Sequence, residues 1–300
     1  VKHRRLMLAI ADAGADHRFI VDDQEGIHNP IGMSGVRLEA KVHIVTGAVT
    51  AIQNIIKCCE RAGLHVQDVV LESLASSESV LDHDEKHLGV ALIDMGGGTS
   101  NVAIFLDDAI RYSGVVGLGG NHITSDISVG LRTSMEEAEK IKKKYGCAIL
   151  EWINPQDVIE VGSVGGQKPR ELKQSILTEI IEARVEEIVK IIEAEMFRSG
   201  YFESLHGGIV MTGGVSLLPG IRELAERLLD LPVRIGVPYH FGGLGDVVKN
   251  PIYATATGLL LHGKKYAGQV PVEEPGAMGS LFAALRRWFR NLWGRRSNWI

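Results

Sequence analysis

Leu92-Ile93-Asp94-Met95-Gly96-Gly97-Gly98-Thr99-Ser100-Asn101-Val102-Ala103-Ile104-Phe105 decides the fold class of this 300-residue chain. A short apolar run ends in an aspartate. A glycine turn and a threonine follow, and then a second apolar run, so the stretch reads as strand, tight turn, strand. Glycines allow backbone N–H groups to close on an anion without Cβ clashes. Asp94 at the strand end is placed to hold a Mg²⁺-bound water, and the Thr99 hydroxyl to donate to phosphate. A plain structural hairpin would use the same residues, so this stretch alone leaves both readings open.

Gly208-Ile209-Val210-Met211-Thr212-Gly213-Gly214-Val215-Ser216-Leu217-Leu218-Pro219-Gly220-Ile221 repeats the theme as strand, glycine turn, helix. Ser216 is read as the N-cap of that helix, and Gly213 and Gly214 leave a flat backbone surface on which a purine can lie. Two such turns more than a hundred residues apart are read as two halves of one nucleotide cleft. Their order and type resemble the actin-like ATPase superfamily, in which the first would be the second phosphate loop and the other the adenosine loop. Asn250–Leu260 resembles the closing helix of that superfamily, with Gly258 allowing close approach across the cleft.

Bulk properties narrow the function classes. Apolar residues make up 45% and charged residues 23% of the chain, ordinary for a soluble globular protein. A net charge of −5 argues against general nucleic-acid binding. The three cysteines, Cys58, Cys59 and Cys147, do not make a disulfide framework and suit a reducing compartment. No zinc-type spacing is present, so no structural zinc is expected. No apolar run in the sequence is long enough to span a bilayer, and no signal peptide is expected.

Strands alternate with helices along the chain, which gives an α/β class. Short strands are expected at Leu6–Ile10 and Arg18–Val21, and a half-buried strand of period two over Val36–Ile44. Helices are expected over Ala48–Ala62, closed by Gly63, and over Leu74–Leu81, with a strand at Val69–Leu71 between them. A third strand of the hairpin is expected at Ala109–Val115. A charged helix follows over Thr133–Lys144, then a loop at Gly162–Gly166. Leu172–Phe197 reads as one long helix whose apolar stripe is Leu172, Ile176, Ile180, Val185, Ile188 and Ile192. Leu217–Leu229 reads as another helix.

Composition changes at Val270-Pro271-Val272-Glu273-Glu274-Pro275-Gly276, a linker. Beyond it Leu281, Phe282, Leu285, Trp288, Phe289, Leu292 and Trp293 fall on one helical face, and Arg286, Arg287 and Arg290 on the other. An aromatic face, an arginine face and a tether describe an interfacial membrane helix. Each arginine near an anionic lipid surface adds about 1 kcal/mol. A terminal helix docked on the body, or one that fits a partner groove, would also carry an apolar stripe.

Together these parts resemble the bacterial cell-division FtsA family, over most of the chain from about Arg5 to Trp293. The resemblance is carried by Gln24–Leu38, Leu74-Ala75-Ser76-Ser77, Ile93–Asn101, Ser163-Val164-Gly165-Gly166, Thr212-Gly213-Gly214 and the C-terminal amphipathic helix. It implies an actin-like (ribonuclease-H-like) two-lobe ATPase fold. The implied organisation is a remainder of the family's own 1C subdomain (1–45), part of subdomain 1A (46–87), and subdomain 2A (88–130 and 206–264). Subdomain 2B (131–205), a linker (265–279) and a membrane-targeting helix (280–294) complete it.

The resemblance implies ATP and Mg²⁺ as cofactors. Asp94, as the catalytic and metal-site residue, and Gly96, Gly97, Gly98 and Thr99 would face the β/γ-phosphates and Mg²⁺. Thr212, Gly213, Gly214 and Val215 would lie by the base and ribose. Glu139 and Lys142 resemble the helix that contacts the ribose, although a solvated charged face is an equal reading. Gly119 and Gly120 would make another turn near the cleft, or a purely structural one. The FtsZ tail is implied on 2B, where Arg184 could meet a tail carboxylate or serve the surface only.

The implied role is to bind ATP, self-associate into filaments and tether FtsZ to the anionic cytoplasmic membrane beside other divisome proteins, without nucleic acid. The family's first phosphate loop would precede Val1, so the chain is expected to be N-terminally truncated and to hydrolyse ATP weakly or not at all. The alternatives are a non-catalytic membrane scaffold and another actin-like ATPase, such as a pilus-assembly protein.

Overall fold

The computed structural model describes residues 5–9, 19–27, 29–40, 42–162, 169–239 and 248–266. In chain order the first elements are β1 (Arg5–Ala9), β2 (Phe19–Val21), β3 (Gln24–Ile27), β4 (Leu38–Ala40), β5 (Ile44–Ala48) and α1 (Val49–Arg61). Next come α2 (Glu72–Val80), α3 (His83–Leu88), the three strands β6 (Val90–Met95), β7 (Ser100–Leu106) and β8 (Ala109–Val116), then α4 (Gly120–Gly130) and α5 (Met135–Tyr145). The remainder is β9 (Val158–Val161), β10 (Arg170–Lys173), α6 (Gln174–Ser199), β11 (Ile209–Thr212), α7 (Ile221–Leu229), β12 (Val233–Ile235) and α8 (Ala254–Tyr266). The chain divides into two compact units, 1–262 and 263–300; of the second, only the last helical turn at 263–266 is described.

The central sheet has strand order β12-β11-β6-β7-β8. β12, β11 and β6 run parallel, and β7 and β8 return antiparallel. β6 is buried along its whole length, as a strand covered on both faces must be. Side chains alternate between faces with period two. Ala91, Ile93 and Met95 therefore join the larger core with α4, α6 and α7, which contains Ile123, Ile127, Leu177, Ile181, Ile188 and Leu224. Val90 and Leu92 join a second core with Leu74 and Val80 of α2 and Ala254 of α8. Each fully buried Leu or Ile side chain stabilises the fold by roughly 1.5–3 kcal/mol. The same parity turns Asp94 toward α2 and α8, together with its cross-strand partner Asn101 and its parallel neighbour Thr212.

Most expected elements form, and the departures have local causes. The long helix begins at Gln174, because Arg170–Lys173 pairs antiparallel with β9 instead. Val185, Ile188 and Ile192 of the expected stripe are buried, and ahead of them Leu177 and Ile181 take the inward positions while Ile176 is 40% exposed. Val69–Leu71 pairs with no strand among the described residues; Val70 and Leu71 simply pad the second core. The alternating run Val36–Ile44 is not one half-buried strand. It is divided between β4 and β5, and Val36, Leu38, Val42 and Ile44 are all exposed. β4 is an edge of the small sheet β3-β2-β4, whose one buried apolar residue is Val21. Leu217–Leu229 is interrupted by Pro219-Gly220, so that a 3-10 turn at Gly214–Leu217 precedes α7. α3, which no sequence pattern announces, opens with Asp82 N–H donating to Glu85 Oε2 at 2.9 Å. The loop Ser163–Gly166, most of the expected linker and the expected amphipathic helix at 280–294 lie outside the described residues.

Candidate functional site: a cleft between two glycine turns

Asp94 is the penultimate residue of β6, at 4% exposure. Ser76 Oγ of α2 donates to its Oδ2 at 2.7 Å, and Thr255 Oγ1 of α8 donates to the same oxygen at 3.2 Å. Burial raises the Asp94 pKa, and the two hydroxyl donors oppose that rise. Gly213 packs on the other carboxylate oxygen: a Cβ there would stand 2.5 Å from Asp94 Oδ1 and 2.5 Å from the Met95 carbonyl oxygen. Its φ of +85° also requires glycine. Nearby, Asn101 Nδ2 donates to Glu72 Oε2 at 2.9 Å. The Glu72 pKa is raised by desolvation and by the charge of Asp94, against the Asn101 bond. Glu72 was not singled out from sequence, where an acid in the first turn of a helix reads as a partner of the helix dipole. The parity of β7, which sends Asn101 to the face of Asp94, was the available signal.

The 96–98 turn is held from below. Gly96 N donates to the Thr99 carbonyl at 2.9 Å, closing the hairpin. Gly120 N and Asn121 N, at the start of α4, donate to the Gly96 and Gly97 carbonyls at 3.0 and 2.7 Å. A Cβ on Gly119 would stand 2.6 Å from the Gly96 oxygen, so Gly119 is needed for this close approach. Gly97, Gly98 and Thr99 are exposed on top of the turn, and a Cβ on Gly98 would meet nothing within 4 Å. The oxygen donors here suit a hard cation. Among the described residues no three His, Cys, Asp or Glu side chains are arranged around a metal point.

A cavity of about 560 Å³ opens between this turn and the second one. Gly96, Gly97, Glu139, Lys142, Gly214 and Val215 line it, with Leu218 and Ile252 adding apolar wall. Lys142 Nζ bonds to the Gly120 carbonyl at 3.0 Å and Thr124 Oγ1 at 2.8 Å, and pairs with Glu139 Oε2 at 2.6 Å. Burial would raise the Glu139 pKa, but hydrogen bonds from Lys142, Thr124 and Lys143 outweigh it and bring it down to about 2. The cavity thus offers an apolar wall and an ion pair, the mixture expected of a small-molecule site.

Other expected residues lie elsewhere. Asp94 does not line the cavity. Thr212 is fully buried, with its hydroxyl donated to the carbonyls of Gly236 (3.0 Å) and Pro251 (3.3 Å). Ser216 is not an N-cap: its hydroxyl donates to the Gly213 carbonyl at 2.7 Å and braces the turn, while Gly220 precedes α7. Gly258 of α8 crosses α2 so closely that a Cβ would stand 1.8 Å from the Ala75 oxygen. Arg184 is held by Asp126 of α4, with Nη2 to Oδ1 at 3.0 Å, and by Glu187. No helix among the described residues is long and apolar enough to cross a membrane.

The family model described as "Cell division protein FtsA" matches residues 91–258, and that of the "SHS2 domain inserted in FTSA" matches 15–46. The chain belongs to the FtsA family. It is 51% identical over 245 residues to the cell division protein FtsA of Pseudomonas aeruginosa, covering 82% of this chain and 59% of that one. Against FtsA of Neisseria meningitidis the identity is 47% over 280 residues, covering 91% and 68%. Against FtsA of Escherichia coli K12 it is 40% over 283 residues, covering 91% and 67%. The chain thus spans about three fifths to two thirds of the length of these FtsA relatives. Among solved structures, MreB5 of Spiroplasma citri bound to AMPPNP superposes with a TM-score of 0.55 at 17% identity, over 74% of this chain and 66% of that one. The PilM-PilN type IV pilus biogenesis complex gives 0.56 at 15%, over 78% and 64%. Those likenesses establish an actin/MreB-like fold for this FtsA-family chain.

Proposed function

We propose that this chain is a nucleotide-binding cell-division protein that takes Mg-ATP in the cleft between the 96–99 and 213–215 turns. In this reading it links FtsZ filaments to the cytoplasmic membrane. The carrying observation is that Gly96, Gly97, Gly214 and Val215, more than a hundred residues apart, wall one cavity with the Glu139–Lys142 pair. Val215, Leu218 and Ile252 would take the base. Glu139, ionised at every physiological pH, would accept from ribose hydroxyls. The exposed Gly97–Thr99 backbone would receive phosphate, and Asp94 the water shell of the cation. Family membership supports the division role over the pilus-assembly alternative.

The remaining parts of the role follow from the family and from sequence. The 280–294 helix would lie in the membrane interface with its aromatic face in lipid, making the protein peripheral to the cytoplasmic face. The FtsZ tail, other divisome proteins and further copies of this chain would be its partners. Arg184 would have to leave Asp126 and Glu187 to meet an FtsZ carboxylate, so its plain surface role is the better reading. The cleft is tested by titrating the full chain with a fluorescent ATP analogue in Mg²⁺. Saturable binding that unlabelled ATP displaces and Gly213→Val abolishes supports the reading. Absence of binding by the parent chain overturns it, and leaves the scaffold alternative.

A further inference from the structure

Asp94 is tied to two helices that lie outside its own hairpin. Ser76 Oγ and Thr255 Oγ1 stand 3.0 Å apart and both reach Oδ2. The two hydroxyls carry one proton each, so both can be given to that oxygen, or passed along a Thr255–Ser76–Asp94 chain. Either way Oδ2 is occupied, and Oδ1 is the oxygen left over, lying against the Gly213 backbone. The donors are themselves rigidly placed. Ser76 is fully buried, and Ser79 Oγ, one turn further along α2, donates to the Ala254 carbonyl at 2.7 Å. The Ala75–Gly258 crossing fixes the spacing of the two helices. The carboxylate plane is therefore set by the α2–α8 crossing rather than by the strand that carries Asp94.

We propose that Ser76 and Thr255 are positioning residues: by holding Oδ2 they aim Oδ1 of Asp94 at the water shell of a nucleotide-bound divalent cation. This rests on the Mg-nucleotide reading of the cleft. A hydroxyl pair that merely satisfied a buried carboxylate would affect stability and nothing else. A positioning pair separates the cation dependence of nucleotide binding from nucleotide binding itself.

The test uses the full chain, Thr255→Val, Ser76→Ala with Thr255→Val, and the conservative Thr255→Ser. A fluorescent ATP analogue is titrated in EDTA and then at increasing Mg²⁺. In the double variant the Mg²⁺ concentration for half-maximal enhancement should rise about tenfold, the scale of losing a charge-assisted hydrogen bond. Cation-free affinity should stay within about twofold, and Thr255→Ser should restore the parent behaviour. Parent-like Mg²⁺ dependence in the double variant overturns the proposal. If the double variant fails to fold, Thr255→Val alone is judged by the same criterion.

A second readout needs no nucleotide. With ¹³C-carboxyl-labelled aspartate, the Asp94 resonance of the free protein should be a single sharp line in the parent and Thr255→Ser, and shifted and broadened in the variants that lack hydroxyls. An unchanged line overturns the positioning even if nucleotide never binds, whereas a nucleotide-free parent with a shifted line in the variants overturns only the Mg-nucleotide reading.

Discussion

Gly213 and Gly98 look alike in the sequence, each inside a glycine turn, yet they differ in what surrounds them. A side chain at position 213 would need φ near +85° and would press on Asp94 Oδ1 and the Met95 carbonyl. At 98 the space is open. Gly213→Val should therefore lower the melting temperature and abolish nucleotide binding, at a cost of about 3 kcal/mol or more from overpacking and strain. Gly98→Ala should stay within about 0.5 kcal/mol of the parent in urea denaturation. Glu139 gives a pH prediction. Its carboxyl is held down to about 2 from 4.5, so the unfolded chain takes up its proton first as pH falls. The contribution of Glu139 is fully present above pH 4.5 and is lost as pH falls toward 2. Melting curves of the parent and Glu139→Gln should differ at pH 6 and converge near pH 2. A constant gap across that window would show that the Glu139 carboxyl is not depressed in the folded protein. At this scale glycines and acids can be read from sequence as types. Which glycine is obligatory, and that Glu72 stands beside Asp94, depend on contacts from distant elements.

Elements that repeat a strong period were readable; their ends were not. β6 and β7 form where the apolar runs and the glycine turn place them, because strands covered on both faces need near-continuous apolar sequence. α6 shows the limit. Leu172 continues the helical stripe, but its backbone is taken by pairing with Ile159 of β9, a partner that no local pattern announces. Ser216 fits the N-cap preference equally well, yet its hydroxyl turns back on Gly213 because Pro219-Gly220 starts the real helix later. The α2–α8 crossing is likewise a tertiary fact, although Gly258 inside an otherwise apolar helix hints at close approach. Gly258→Val should destabilise the fold by about 3 kcal/mol or more, since its Cβ would collide with the Ala75 carbonyl, which is backbone and cannot yield. Ser79→Ala, which loses the hydroxyl bonds to the Ser76 and Ala254 carbonyls, should cost about 1 kcal/mol. Equal losses in urea denaturation would mean that the crossing is held by its hydroxyl bonds rather than by backbone proximity.

On the scale of the whole molecule, the ATPase-like body and the terminal segment carry separable chemistry. The body is acidic overall, because the chain totals −5 while no acid occurs from Gly276 onward and five arginines do. A body of that net sign is repelled by anionic lipid, so in the anchor reading the attraction is assigned to the tail. With about 1 kcal/mol per arginine near the surface plus burial of the Trp and Phe side chains, the tail can outweigh that repulsion. The full chain should float with vesicles containing phosphatidylglycerol, and a chain lacking Gly279–Ile300 should remain in solution. Raising salt should weaken flotation by screening the arginines without abolishing it, because the aromatic face is insensitive to ionic strength. Charge reversal at Arg286, Arg287 and Arg290 should remove the preference for anionic vesicles, while Trp288→Ala with Trp293→Ala should weaken binding to neutral and anionic vesicles alike. Flotation that survives deletion of the tail would place the lipid contact on the body and sink the anchor reading, while leaving the nucleotide cleft untouched.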